Sequence, residues 1–239
     1  MQRYFVNKID NEFILSDSDF HHIKNVMRIK NNGNIICGYD NHSYLCEITY
    51  FNDSYKIGIC EEITNDVELN KQIILYQALI KNDKFDLVIQ KATELGVSSI
   101  VPTIFSRSVI KVDDSKKDNK ISRYEKIVKE ACEQSHRQIL PTIQNYIKVK
   151  NITLDDDTLG LIAYENNGII NSLYNELKNI DKYQKIAIVV GPEGGFSDDE
   201  VSYLKQVGFK SVSLGKRILR SETASMFLLS VLSHYIEGM

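Results

Sequence analysis

The first 70 residues alternate short apolar runs with polar breaks, a pattern typical of closely spaced β-strands. A short helix interrupts the strands, because Phe20, Ile23 and Met27 share one helical face and Asp17 or Asp19 is suited to cap it. Several short strands and one helix predict a small β-barrel or half-barrel. The predicted strands are 4–6, 13–15, 34–39, 43–51 and 55–63.

After residue 70, apolar runs alternate with longer amphipathic helices. The helix predicted over 84–95 is apolar on one face and ends at Gly96, and Ser197 and Glu200 have the spacing of a capping box. Alternating strands and helices predict a mainly parallel sheet covered on both faces. We therefore predict an α/β protein with domains 1–70 and 71–239. Its predicted strands are 72–79, 99–103, 159–164, 185–190 and 211–214, with further helices from 121, from 198 and over 222–236.

Composition and charge exclude some classes of protein but do not identify a function. Hydrophobic residues make up 43% of the 239 residues and charged residues 26%, as in ordinary globular proteins. A net charge of -3 argues against a broad nucleic-acid surface but allows a focused basic site. No run approaches the roughly 18 apolar residues of a membrane span, and no secretory signal opens the chain. We therefore expect a cytoplasmic protein with no membrane partner.

The four cysteines form no CxxC pair and no Cys/His cluster. This spacing disfavours structural zinc, a redox pair and a disulfide framework. We expect no metal site, and we expect all four thiols to be small buried or half-buried hydrophobes.

One loop, Gly191-Pro192-Glu193-Gly194-Gly195-Phe196, lies between an apolar strand and a capped helix. Ligands of open α/β sheets bind at the carboxyl ends of strands, and glycines let a ligand approach the backbone closely. The loop lacks the GxGxxG pattern and the Lys-Ser/Thr of a phosphate-binding loop. It indicates a ligand site of another kind, the alternative being a tight turn that needs glycine for geometry alone.

A second loop, residues 214–224 (LGKRILRSETA), leads from the last strand into the last helix. Lys216, Arg217 and Arg220 lie beside a helix amino terminus, which favours anions. Ile218 and Leu219 are suited to wall an apolar ring. The alternative is a solvated basic turn with two core anchors.

Together these two loops resemble the ribosomal RNA small-subunit methyltransferase E family of the SPOUT superfamily. The resemblance extends over nearly the whole chain, with Met27 where the family more usually has leucine. It implies a PUA-like RNA-binding β-barrel followed by a SPOUT-type α/β domain that carries a trefoil knot and forms a homodimer. The other matching segments are 21–28 (HHIKNVMR), 85–102 (FDLVIQKATELGVSSIVP), 106–108 (SRS) and 133–137 (EQSHR).

The implied activity is S-adenosylmethionine-dependent methylation of N3 of one uridine in 16S ribosomal RNA, within the small ribosomal subunit. One alternative is a SPOUT ribose 2′-O-methyltransferase on tRNA or rRNA, which the PUA-like match argues against. Another is a non-catalytic ribosome-assembly protein that binds RNA, which the complete LRSETA segment argues against.

The resemblance also assigns candidate site residues. Arg220 is the first choice to stabilise the developing uridine anion, with Arg217 and Arg137 as alternatives, and Glu193 or Glu222 as candidate general bases. Arg220 has the alternative of a salt bridge to Glu193 or Glu222. The candidate cofactor residues are Ala163, Tyr164, Glu165, Gly191, Pro192, Glu193, Gly194, Gly195, Leu214, Gly215, Ile218, Leu219, Arg220, Glu222 and Thr223.

RNA contacts are expected from focused cations, since structured RNA offers phosphates and splayed bases. A solvated surface is the alternative for each of them. The candidates are Arg3, His22, Lys24, Arg28, Lys30 and Arg107.

Overall fold

The computed structural model describes residues 1–52, 54–64, 67–110, 115, 117–164 and 172–238. The chain divides into two compact units. Unit 1 comprises residues 1–68 and 129–140, and unit 2 comprises residues 69–128 and 141–239. The sequence predicts one boundary after residue 70, and it does not predict that 129–140 belongs with the amino-terminal unit.

Unit 1 is built on an open four-stranded sheet with the order β1-β4-β5-β6. β1 runs parallel to β4, whereas the other neighbours are antiparallel, and β2 and β3 form a separate hairpin. Among the described strands no pairing closes this sheet into a barrel. The strands are β1 (Arg3–Phe5), β2 (Asn7–Ile9), β3 (Glu12–Ile14), β4 (Gly33–Tyr39), β5 (His42–Phe51) and β6 (Ser54–Ile63).

The predicted helix of unit 1 is present but differs in its cap. Helix α1 (Asp17–His21) is capped by Ser16, whose Oγ accepts a hydrogen bond of 3.1 Å from the Asp19 backbone N–H. Asp17 and Asp19 therefore lie in the first turn rather than at the cap. A π-helical turn (His22–Val26) continues the helix.

Unit 2 contains a parallel sheet with the order β10-β8-β7-β12-β11-β13, and β9 also pairs with β8. On β12 every position from Ile186 to Val190 is buried, because both faces of the strand are covered. The strands are β7 (Gln72–Ala78), β8 (Ser99–Ile104), β9 (Thr142–Ile143), β10 (Ile147–Lys148), β11 (Thr158–Ala163), β12 (Lys185–Val190) and β13 (Lys210–Val212).

The helices follow the predicted apolar faces. Helix α6 packs against α2, β7 and β12. Val201 and Leu204 of α5 join a core cluster with Ala187 and Val189 of β12. The helices are α2 (Asn82–Glu94), α3 (Lys117–Ser135), α4 (Leu173–Leu177), α5 (Asp198–Val207) and α6 (Ser221–Glu237).

Two properties of the whole chain concern its cysteines and its helices. Cys37, Cys46 and Cys132 are buried as predicted, but Cys60 is exposed. Cys60 lies on β6, an edge strand of the sheet whose residues 58–62 are all exposed to solvent. Within the described residues, no helix is both long and apolar enough to cross a bilayer.

Candidate active site

A cavity of about 680 Å³ lies in unit 2, at the carboxyl ends of β11, β12 and β13. Its volume falls within the range of about 300–1,000 Å³ that is usual for ligand sites. It is lined by Arg107, Ala163, Tyr164, Val190, Gly191, Pro192, Glu193, Gly195, Phe196, Asp198, Val212, Leu214, Arg217, Ile218, Leu219, Arg220, Ser221 and Ala224.

The glycine loop has the backbone geometry that its sequence indicates. Gly195 has φ of +69°, in the left-handed region, and its N–H donates to the Pro192 carbonyl at 2.9 Å. At Gly191 a Cβ would lie 2.8 Å from the Phe196 ring, so only glycine allows this close approach. The ring meets Tyr164 edge-to-face with 5.7 Å between the ring centroids. Tyr164 and Phe196 thus give the cavity an aromatic wall.

Residues of the segment after β8 form hydrogen bonds that hold the glycine loop and the start of α5 in place. The Arg107 guanidinium donates to the Phe196 carbonyl at 2.8 Å and to the Gly194 carbonyl at 3.4 Å. Glu200 accepts from the backbone N–H of Ser106 at 2.7 Å and of Ser197 at 2.8 Å. The predicted capping box of Ser197 and Glu200 is confirmed, and Glu200 also ties α5 to the segment after β8.

Two apolar residues of the second loop, Ile218 and Leu219, are predicted from the sequence to have the same role but differ in burial. Leu219 is half-buried in the cavity wall, whereas the side chain of Ile218 is 97% exposed. Ile218 therefore lines the cavity from a solvent-exposed position and, unlike Leu219, is not packed into its wall. Arg217 and Arg220 are exposed beside it, and Lys216 is exposed but does not line the cavity.

Some predicted cofactor residues are placed elsewhere. Gly194, Gly215, Glu222 and Thr223 do not line the cavity, and Glu165 lies outside the described residues. A sequence motif marks a whole loop, so it does not show which of two adjacent residues in that loop lines the cavity.

Glu222 forms an ion pair with Lys84 of α2, with 2.8 Å between its Oε1 and the Lys84 Nζ. Burial alone favours the neutral carboxyl, but the hydrogen bond from Lys84, together with the charge of Arg220, outweighs it and lowers the pKa of Glu222 below its ordinary value. The sequence suggests a salt bridge to Glu222 as an alternative role for Arg220. In the described part of the chain, Lys84 is the ion-pair partner of Glu222 instead. An ionised carboxylate already engaged by an ammonium is a poor proton acceptor.

Arg137 lies in unit 1 and does not line the cavity. Its side chain is buried, and its guanidinium binds the Glu68 carboxylate with 2.6 Å between Nη2 and Oε2. The other candidate catalytic residues, Arg220, Arg217 and Glu193, all line the cavity.

The candidate RNA contacts fall into three groups. Arg3 is a correction, because it is only 4% exposed and donates to the Arg137 carbonyl and to Ser43, each at 2.9 Å. A buried guanidinium with these partners holds unit 1 together and does not reach a phosphate. His22 is half-buried and hydrogen-bonds Tyr4 OH at 2.9 Å. The exposed candidates are Lys24, Arg28 and Lys30 in unit 1 and Arg107 in unit 2.

Sequence reasoning missed several lining residues as site members. Ser221 and Ala224 occupy helical positions i and i+3, which share one face of α6, so helical spacing within the LRSETA segment was the available signal. Phe196 is the last residue of the predicted glycine loop but is not among the predicted site residues. Val190, Asp198 and Val212 flank the predicted loops, and no residue type marks them in advance.

Comparisons with known families agree with the architecture. Residues 67–233 match the family described as RNA methyltransferase domain. Residues 15–55 match the family described as RNA methyltransferase PUA domain. The first match covers more than half of the chain.

Individual relatives and structures agree as well. A protein of Mesomycoplasma hyopneumoniae named ribosomal RNA small subunit methyltransferase E is 38% identical, covering 96% of this chain and 98% of its own length. One of the same name from Bacillus subtilis is 34% identical, covering 99% and 98%. A crystal structure of a Neisseria gonorrhoeae protein of that name, bound to S-adenosyl methionine, superposes with a TM-score of 0.86 at 28% identity, covering 98% and 97%. The chain therefore belongs to the ribosomal RNA small subunit methyltransferase E family.

Proposed function

We propose that this protein transfers a methyl group from S-adenosylmethionine to N3 of a specific uridine in 16S ribosomal RNA. The observation that carries the proposal is the cavity at the carboxyl ends of β11–β13, walled by both loops that the sequence indicates as a ligand site. Family membership supports the reaction class, since the relatives are named for methylation of small-subunit ribosomal RNA.

The cavity residues fit the cofactor chemically. Tyr164, Phe196 and Leu219 offer apolar surface for an adenine ring, and the glycine loop offers backbone polar groups at close range. Glu193 and Asp198 place carboxylates in the lining, which suits a cationic ligand. When bound, S-adenosylmethionine supplies a methyl group already activated on a sulfonium. The protein's main task is then to hold the acceptor in line with that methyl group.

The acceptor atom requires electrostatic help, because N3 of uridine carries a proton and is a poor nucleophile when neutral. Arg220 and Arg217 are exposed and line the cavity, so a guanidinium there stabilises the anion that develops on the uracil ring. Glu193 lines the cavity and is exposed, whereas Glu222 is held by Lys84. We therefore infer that Glu193, rather than Glu222, accepts the N3 proton.

We also infer that unit 1 is a PUA-like domain that docks the RNA, within the small subunit and in the cytoplasm. The exposed cations Lys24, Arg28 and Lys30 follow or belong to the π-helical turn and suit phosphate contacts. Cross-linking of bound rRNA to residues 24–30 would support this inference, and cross-links confined to unit 2 would contradict it.

The strand order supports a trefoil knot in unit 2. β13 lies at the sheet edge beyond β11, whereas α6 returns to β7 and β12 in the middle of the sheet. The chain after β13 therefore crosses back past the end of β11, where a threaded loop is possible although such threading is rare. Mechanical stretching that releases the full contour length of the chain would contradict a knot.

The proposed function is tested by nucleoside mass spectrometry. Small subunits from cells lacking this gene are incubated with the purified protein and isotope-labelled S-adenosylmethionine. We expect label in 3-methyluridine at a single site of 16S rRNA. Label in a 2′-O-methylribose, or no label with protein that binds the cofactor, would contradict the proposal.

A further inference from the structure

A buried polar cluster joins β7 to the two cavity loops. Gln77, near the carboxyl end of β7, is fully buried, as is Ser225 of α6, and Ser221 at the start of α6 is 6% exposed. A buried amide destabilises the fold unless its donors and acceptor are satisfied, so such a residue needs specific partners.

Each of the three side chains is hydrogen-bonded to another member of the cluster, and two of them also bond backbone carbonyls outside it. The Ser221 hydroxyl donates to the Gly191 carbonyl at 2.7 Å. The Gln77 Nε2 donates to Ser221 Oγ at 3.0 Å and to the Ala78 carbonyl at 3.1 Å. The Ser225 hydroxyl donates to Gln77 Oε1. The Ser225 hydroxyl also lies 3.2 Å from the Ser221 carbonyl, a second acceptor for its single proton. The bonds to Gly191, Ser221 and Ala78 orient the Gln77 amide and the Ser221 hydroxyl.

The cluster connects parts of the chain that are far apart in sequence. Gly191 is the first residue of the glycine loop, and Ser221 starts α6 directly after residues 214–220 of the second loop, so the bond between them sets the spacing of the two cavity walls. Gln77 does not line the cavity, but it holds the Ser221 hydroxyl in the position that this bond requires.

We propose that Gln77 and Ser221 are positioning residues that hold residues 191–196 and 214–220 at the separation at which the cavity accepts S-adenosylmethionine. The proposal rests on the proposed function, since it takes that cofactor as the ligand. Gln77 acts through Ser221, and Ser221 acts through the Gly191 carbonyl. A cluster that served only the stability of unit 2 would have no separate effect on the affinity for the cofactor.

Calorimetric titration of the full-length protein with S-adenosylmethionine tests the proposal without any need for turnover. We expect Gln77→Leu and Ser221→Ala each to raise the dissociation constant about tenfold, a factor typical of losing one ordering hydrogen bond. Ser221→Thr keeps the hydroxyl and is expected to bind within about threefold of wild type. The double variant Gln77→Leu/Ser221→Ala is expected to be no weaker than the weaker single variant, because the two residues act in one chain.

Thr93→Ala is the matched control. Thr93 is also fully buried in unit 2, and its hydroxyl donates to the Ile89 carbonyl at 2.9 Å, but it does not line the cavity. It is expected to lower the melting temperature while the dissociation constant stays at the wild-type value.

The outcomes distinguish a failure of the positioning role from a failure of the proposed function. If wild type binds the cofactor and Ser221→Ala binds equally well, the positioning role is wrong. The same holds if Ser221→Thr binds as weakly as Ser221→Ala, or if Thr93→Ala weakens binding by the same factor. The two Ser221 variants decide the question even if Gln77→Leu does not fold. If wild type itself does not bind, the proposed function fails first.

Discussion

At the scale of single residues, the candidate catalytic arginines differ in what already surrounds them. Arg137 is buried against Glu68, so its charge is compensated within unit 1. Arg217 and Arg220 are exposed and line the cavity, and no described side chain forms a hydrogen bond or ion pair with either. A guanidinium in this situation retains its charge and its donors for a substrate.

Replacement of Arg220 by alanine tests this assignment. We expect Arg220→Ala to bind S-adenosylmethionine as wild type does but to lower kcat about 10²–10³-fold, the effect of removing one donor to a developing anion. Lys216→Ala is the matched control, because Lys216 is an exposed cation of the same loop that does not line the cavity. Full activity of Arg220→Ala, measured as label incorporated into rRNA, would remove Arg220 from the reaction.

Glu133 is a carboxyl in an unfavourable environment within unit 1. Burial, and secondarily the neighbouring Asp19 carboxylate, raise the pKa of Glu133 to about 7, although Lys129 at 3.7 Å opposes the shift. Its Oε1 also accepts from the Phe5 backbone N–H at 3.4 Å. Because the folded-state pKa exceeds the unfolded value, the folded protein binds more protons between about pH 4.5 and pH 7.

The sign of this linkage gives a pH prediction. The contribution of Glu133 to stability is largest below about pH 4.5 and falls as the pH rises to about 7. Glu133→Gln keeps an acceptor for Phe5 and cannot ionise, so we expect a higher melting temperature than wild type at pH 8 and a smaller difference at pH 5. Thermal unfolding of both proteins across this range checks the prediction. An equal difference at both pH values would contradict it.

At the scale of elements, α5 combines a local signal with a long-range one. The spacing of Ser197 and Glu200 predicts the capping box, because both partners lie within four residues. The bond from the Ser106 N–H to Glu200 joins residues 94 positions apart, so no local pattern announces it.

The two cap residues should therefore differ in importance. We expect Ser197→Ala to lower the free energy of unfolding by about 1 kcal/mol, as for other caps. Glu200→Ala leaves two backbone donors without their carboxylate, and we expect a loss of about 3 kcal/mol. Urea denaturation measures both. Equal losses for the two variants would show that the bond to Ser106 contributes nothing.

An element can be predicted from sequence when the interactions that form it lie between residues close together in the chain. The strands β8, β11 and β12 are recognised because burial on both faces makes them mainly apolar. β9 and β10 have two residues each, too few to show a period. In the candidate site, the loop positions follow from motif, but the ion pair of Lys84 with Glu222 and the exposure of Ile218 depend on tertiary packing.

At the scale of the whole molecule, we infer a homodimer. Helices α2 and α6 pack against each other, and each carries a large apolar side chain that is partly exposed, Leu87 at 39% and Phe227 at 40%. Burial of such side chains against a second copy removes apolar surface from water. The cavity mouth with Ile218 is also open within one chain.

Light scattering tests the dimer. Wild type is expected to have twice the mass of one chain, and Phe227→Lys is expected to shift the mass toward a single chain. Tyr174→Lys is the control, because Tyr174 is an exposed aromatic residue on α4 of the same unit. A fully active wild-type protein with the mass of one chain would contradict the inference.

The discontinuity of unit 1 has a consequence for biosynthesis. Arg137, which binds Glu68, and Glu133, which binds the Phe5 backbone, leave the ribosome about 70 residues after Glu68 does. At translation rates of about 5–20 residues per second, this delay lasts about 4–14 s. During that interval Glu68 lacks its cationic partner. The first 68 residues cannot complete the fold of unit 1 until residues 129–140 have been synthesised. The portion of the polypeptide that is made first is therefore completed only after part of unit 2 has emerged.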